Sequence, residues 1–133
     1  MDVEYQNAWL LSADHELDAA QLLFEQGGYP EVVAYHVHQG LERYLKGFLA
    51  ARGSAIPAVH DLGELVRRAA GLEPELLRFV EDIQPLTGFF VETLDEDLVL
   101  PQPDREGVRH AMQIAWRLRD RLLTLLPPGA TEA

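Results

Sequence analysis

The sequence contains no cysteine. Disulfide bonds, thiolate metal ligands and cysteine nucleophiles are therefore excluded, and several classes of enzyme and metalloprotein are excluded with them. Long apolar runs are also missing, and the N-terminus has neither the basic segment nor the apolar segment of a signal peptide. We therefore expect a cytoplasmic protein without a membrane-spanning helix.

Positive charge is scarce, because 11 Lys and Arg residues stand against 22 Asp and Glu residues, for a formal net charge of −11. A chain with this charge repels polyanions, so we do not expect nonspecific binding of nucleic acid. The exception is residues 104–126, where five arginines outnumber three acidic residues. We interpret this segment as a basic helix on an acidic body, with arginines that pair within the chain or meet an acidic partner. These arginines are Arg105, Arg109, Arg117, Arg119 and Arg121.

The rest of the composition is that of a soluble globular protein, with 47% hydrophobic and 25% charged residues. A chain of 133 residues is long enough to form one domain around one core. We predict a single helical domain over residues 1–128 and a frayed tail over residues 129–133.

Apolar residues recur at helical spacing through most of the chain, and no segment alternates apolar and polar residues as a half-buried strand would. The sequence therefore predicts an all-α protein, an up-and-down bundle of four to five helices. Residues 85–103 have the composition of an exposed loop or broken helix, with Phe89, Phe90 and Val91 held against the core. The predicted helices cover residues 3–26, 30–52, 61–71, 74–85 and 104–127, with Asp61 and Asp104 as N-caps.

The second predicted helix carries a polar ridge opposite its apolar face, with Gln39, Glu42 and Lys46 at i, i+3 and i+7. This ridge places an amide, a carboxylate and an ammonium group in line, which makes it the best candidate for chemistry. Glu42 and Lys46 are four residues apart, and such a pair is worth only a few tenths of a kcal/mol where it is exposed.

The same helix contains two interior glycines, Gly40 and Gly47. Each costs about 1 kcal/mol of helix propensity relative to alanine, so we expect another helix to approach closely and compensate. We predict that the protein forms a symmetric homodimer with these glycines at a helix contact, and the spacing leaves open whether that contact lies between two chains or within one.

The polar ridge and its surroundings also resemble a known family, the HEPN domain. The resemblance is carried by Gln39-x-x-Glu42-x-x-x-Lys46 followed by His60-Asp61-Leu62, and by the Gly28-Tyr29 turn between the first two helices. It covers nearly the whole chain. The first helix contributes a matching pattern of Trp9, Ala13, Leu17, Ala20 and Leu23.

The resemblance implies a small all-helical protein that is usually dimeric and often encoded beside a minimal nucleotidyltransferase. It implies that Gln39, Glu42, Lys46 and His60 line a groove that receives a nucleotide or the polar residues of a partner. The expected function is therefore that of a HEPN-type accessory protein, which binds a nucleotide or a nucleotidyltransferase partner in a toxin–antitoxin-like pair. The resemblance implies no cofactor.

The sequence departs from the family ahead of the last helix, because Thr93-Leu94-Asp95 stands where this branch tends to carry Arg-Tyr-Pro. Ribonuclease members of the wider family use an Arg, four to six residues, then a His, contributed by two protomers. Arg105 and His110 match that spacing. A metal-independent ribonuclease toxin acting as a dimer is thus one alternative function, and a non-catalytic structural interaction module is another.

Metal binding is not expected from the remaining histidines. His36 and His38 are two residues apart on the second predicted helix, so their side chains point to different sides and do not hold one ion together. We predict no metal site.

Overall fold

A computed structural model describes residues 3–84, 86 and 103–127 of the protein. These residues form five α-helices and no strand, which confirms the predicted all-α bundle. The predicted helix ends agree with the structure to within a few residues. The helices are α1 (Val3–Glu25), α2 (Pro30–Ala51), α3 (Leu62–Leu72), α4 (Leu77–Ile83) and α5 (Arg105–Thr124).

Helices α1 and α2 form an antiparallel pair joined by a short turn. Gly27 has a φ of +77°, a left-handed conformation that glycine adopts without steric cost. The Gly28 amide then donates to the Leu23 carbonyl oxygen at 2.7 Å, and Pro30 begins α2. The turn therefore reverses the chain directly after α1.

The two interior glycines of α2 face α1 of the same chain. A Cβ atom added at Gly47 would lie 2.9 Å from Leu10 Cδ2 and 3.0 Å from Trp9 Cβ. At Gly40 the nearest atom would be the Ala13 carbonyl oxygen, at 3.4 Å. The expected close approach is thus an intramolecular contact, so the glycines no longer argue for the predicted homodimer.

Both predicted N-caps are confirmed. Asp61 Oδ1 accepts hydrogen bonds from the Gly63 and Glu64 amides at 2.8 and 3.3 Å, at the start of α3. Asp104 Oδ1 accepts one from the Gly107 amide at 2.7 Å, at the start of α5. Each bond satisfies an amide that has no partner inside its own helix.

The fourth predicted helix is shorter than expected. Residues Pro74–Leu76 form a 3-10 turn, and α4 covers only the seven residues that follow it. Most of the predicted loop over residues 85–103, including Phe89, Phe90 and Val91, lies outside the described residues. All of the predicted tail over residues 129–133 lies outside them too.

Among the described residues, no helix is long and apolar enough to cross a membrane.

The core lies around α2, which packs against α1, α3 and α5. Because α2 contacts three other helices, it lies at the centre of the bundle. Fully buried side chains come from all five helices and from the turn that precedes α4. The largest of them include Leu10, Leu17, Leu41, Tyr44, Leu45, Phe48, Leu65, Leu76, Ile83, Ile114 and Leu118.

A polar bridge ties three helices together beside this core. The Tyr44 hydroxyl of α2 donates to Asp14 of α1, and Arg119 Nε of α5 donates to the same carboxylate at 2.7 Å. Burial, and then the bond to Asp14, raises the pKa of Tyr44, while the bond to Asp14 raises the pKa of Arg119. The bridge fixes the relative positions of α1, α2 and α5.

Candidate functional site

The polar ridge of α2 meets the start of α3 at a single carboxylate. Lys46 Nζ donates to Glu42 Oε2 at 3.1 Å, and His60 Nδ1 lies 3.0 and 3.1 Å from the two Glu42 oxygens. We call Glu42, Lys46 and His60 the Glu42 cluster. The structure therefore brings together three of the four residues that the sequence singled out.

The ion pair of this cluster is buried, whereas its histidine is not. Glu42 and Lys46 keep only 7% and 6% of their surface exposed, while the His60 side chain is 66% exposed. Removing two charges from water costs several kcal/mol per ion, so a buried pair persists only where the geometry and the hydrogen bonds are good. The Glu42–Lys46 pair is thus not exposed on the helix surface but buried, and it reaches the surface through His60.

The position of His60 is set by the start of α3. His60 directly precedes Asp61, whose side chain caps that helix. The cap fixes the backbone at the entry to α3, and it thereby holds the imidazole against a carboxylate that belongs to α2. A motif that is split in the sequence, Glu42 with Lys46 and then His60, is thus assembled by the packing of α2 on α3.

Gln39 lies one turn before Glu42 on α2 and is partly exposed. It makes no hydrogen bond with the residues that the structure describes. The ridge order predicted from the sequence is present, but Gln39 stands beside the Glu42 cluster and is not bonded into it.

The cluster offers mostly hydrogen-bond donors. An ammonium group has three hydrogen-bond donors, and Lys46 uses one of them in its bond to Glu42. The His60 ring has its Nε2 atom to offer, and the Gln39 amide can both donate and accept. The arrangement suits recognition of a polar group, since the carboxylate that could act as a base is already held by two partners.

The two residues of the ribonuclease alternative lie on different sides of α5. Positions five apart on an α-helix are separated by about 140° around its axis. The Arg105 guanidinium lies 3.9 Å over the ring of Phe24 in α1, where it makes a cation–π contact. His110 is exposed. One chain therefore does not bring Arg105 and His110 together.

The two histidines considered for metal binding also lie apart. His36 Nδ1 is 2.7 Å from Glu16 Oε2 of α1, whereas His38 is buried, with 5% of its surface exposed. Within residues 3–84, 86 and 103–127, no group of three or more histidine, aspartate or glutamate side chains is placed to hold a metal ion.

A family model of the HEPN domain matches residues 6–125 of the 133-residue chain. The protein belongs to the HEPN domain family. No curated protein and no solved structure matches the chain significantly. The matched range runs from α1 to the end of α5, so it includes every residue of the Glu42 cluster.

Membership of the HEPN family accounts for the helical fold but does not assign a ligand to the cluster. Thr93, Leu94 and Asp95, where this HEPN chain departs from the Arg-Tyr-Pro pattern, lie outside the described residues.

The sequence of this HEPN protein does not show which α5 arginines have a carboxylate partner within the chain. Arg119 pairs with Asp14, Arg121 pairs with Glu75, and Arg109 pairs with Glu106, as internal pairing predicts. Arg117 has no carboxylate partner among the described residues, and it lies in a groove against α4. Helical spacing could have placed Arg117 and Arg121 on one side of α5, but nothing in the sequence indicates which of them is paired.

Proposed function

We propose that this HEPN protein is an accessory protein that binds a nucleotide or a nucleotidyltransferase partner at the Glu42 cluster and Gln39, without catalysis of its own. The supporting observation is the buried Glu42–Lys46 ion pair, which reaches the surface through an exposed histidine on the same carboxylate. A purely structural role would be served as well by apolar residues, which often replace a buried ion pair without loss of stability.

The chemistry of the cluster limits the ligand. Glu42 neutralises much of the charge of Lys46, so a bare phosphate gains little there and should bind poorly. A ligand that brings donors as well as acceptors can use Gln39 and His60 together. A nucleotide base, a ribose or an arginine of a partner protein has this property.

The family supports the choice of partner. HEPN proteins of this kind are often encoded beside a minimal nucleotidyltransferase, and we propose a toxin–antitoxin-like pair of that type. A homodimer remains part of the proposal, on the same basis. Light scattering at high micromolar concentration tests it, and a monomer under those conditions would contradict it.

The His60→Ala variant tests the site directly. Because the side chain is largely exposed, its removal should not alter the core, and the loss of one hydrogen bond should weaken binding about fivefold. Binding is measured by calorimetry with a series of nucleoside mono-, di- and triphosphates, and by copurification with a nucleotidyltransferase from the same genome. His15→Ala, which removes an exposed histidine of α1, is the matched control.

Two results would overturn the proposal. One is unchanged binding in His60→Ala, which would place the ligand elsewhere. The other is cleavage of cellular RNA by the purified protein that is lost in Arg105→Ala or His110→Ala, because this would favour the dimeric ribonuclease.

A further inference from the structure

A groove of about 460 Å³ lies between α4 and the C-terminal half of α5. Its volume falls within the range of small-molecule sites in proteins. Arg78 and Asp82 line it from α4, and Arg117, Asp120 and Arg121 line it from α5. None of these residues belongs to the Glu42 cluster.

Three arginines line this groove of a strongly acidic protein. Arg121 donates two hydrogen bonds to Glu75, from Nε and Nη2 to the two carboxylate oxygens at 2.6 and 2.7 Å. Arg78 lies 5.0 Å over the ring of Phe79. Arg117 forms no ion pair and no hydrogen bond with the described part of the chain. Among the described residues, no carboxylate is bonded to Arg78 or Arg117, although the charge of Glu75 acts on Arg78 as well as on Arg121.

The number of guanidinium groups favours a phosphoryl group as the ligand. A carboxylate has two oxygens and is satisfied by one arginine fork, whereas a terminal phosphoryl group has three oxygens for several forks. Arg117 and Arg121 are four residues apart on α5, so they are neighbours on one side of the helix. Arg78 lines the same groove from α4.

The two carboxylates in the same groove further restrict the ligand. Asp120 is bonded to Arg119 at 3.1 Å, while Asp82 makes no ion pair among the described residues. Both would repel a bare oxyanion, but both can accept hydrogen bonds from hydroxyl or amino groups. A ligand with an anionic end and a donor-bearing end fits this mixture of charges.

We propose that the α4–α5 groove binds a phosphorylated small molecule that also carries hydroxyl or amino groups. The phosphoryl group lies against Arg78, Arg117 and Arg121, and the donors face Asp82 and Asp120. This site is separate from the Glu42 cluster and does not rest on the function proposed there.

Heteronuclear NMR titration with ribose 5-phosphate, inorganic phosphate and ribose tests the proposal. The expected result is a saturable shift of amide signals in α4 and α5 with ribose 5-phosphate, a weaker response to phosphate, and none to ribose. Arg117→Ala should weaken ribose 5-phosphate binding about tenfold, the loss expected for a charge-assisted bond. Arg68→Ala is the control, because it makes the same charge change on α3, outside the groove.

The Asp82→Asn variant tests the second half of the proposal. Removing this carboxylate should strengthen the binding of inorganic phosphate. It should also reduce the ratio by which ribose 5-phosphate binds more tightly than inorganic phosphate. The proposal is overturned if ribose 5-phosphate shifts no α4 or α5 amide at millimolar concentration, or if Arg68→Ala weakens binding as much as Arg117→Ala. Because the readout lies on α4 and α5, it can fail while the His60 experiment succeeds, and the reverse also holds.

Discussion

Helices α2 and α5 both carry charged residues beside the core, but these residues differ in their burial and in the partners that they pair with. In α2 the charges of Glu42 and Lys46 are buried and satisfied by each other and by His60. In α5 the arginines remain at or near the surface, and two of them, Arg119 and Arg121, reach carboxylates on other elements. A buried pair must be complete, whereas exposed pairs are individually worth little. The comparison therefore predicts large effects from α2 and small ones from α5.

The largest expected effect comes from breaking the α2 pair at one partner only. Lys46→Met keeps most of the side-chain volume but leaves the Glu42 carboxylate buried with His60 as its remaining partner. We expect the free energy of unfolding to fall by about 3 kcal/mol, measured by urea denaturation. The double variant Glu42→Gln with Lys46→Met removes both charges and should recover more than half of this loss.

Additive losses would contradict the comparison. If the double variant is as unstable as the sum of the single variants, then Glu42 and Lys46 are not coupled, and the cost of an unpaired buried charge does not explain the loss. Parallel melts of His60→Ala, whose side chain is exposed, show how much of the effect belongs to the ion pair itself.

The next effect concerns the packing of α2 on α1. Gly47→Ala would place a Cβ atom 2.9 Å from Leu10 and 3.0 Å from Trp9. Overpacking should cost more than the helix propensity gained, so we expect a net loss of about 1–2 kcal/mol. Gly40→Ala is the matched variant, since its nearest contact, at 3.4 Å, is ordinary van der Waals contact, and the gain in helix propensity should leave stability unchanged or raise it by up to about 1 kcal/mol.

Equal effects of the two glycine variants in thermal melts would show that α1 does not hold α2 more tightly near Gly47 than near Gly40. A loss of stability that depends on protein concentration would instead indicate a contact between two chains.

Local patterns were enough to predict most of the fold. The apolar spacing located all five helices, and Asp61 and Asp104 were recognised as caps because a side chain caps the helix that directly follows it. The 3-10 turn at Pro74–Leu76 was not predicted, because the same proline also begins a regular helix.

The candidate site was predictable in part. The i, i+4 spacing identified the Glu42–Lys46 pair, but its burial depends on what packs over α2, and helical spacing carries no such information. His60 entered through the family resemblance and not through any local rule. The groove between α4 and α5 could not be predicted, since Arg78 and Arg117 are brought together by helix packing alone.

The smallest expected effect is at the exposed pair of Arg121 with Glu75. The hydrogen bonds from Arg121 lower the pKa of Glu75 below its usual value of 4.5. Because the folded-state pKa is depressed, the pair stabilises the protein above the unfolded pKa, and this contribution is lost as the pH falls through the lower folded pKa. Glu75→Gln should therefore leave stability at neutral pH nearly unchanged and flatten slightly its decline between about pH 5 and pH 3. Urea denaturation across this range measures the effect, and Arg121→Gln should flatten the curve in the same way because it removes the same bonds. If the Glu75→Gln curve runs parallel to that of the wild type, the pair does not contribute in solution, and Arg121 would be as free as Arg117 to meet a ligand.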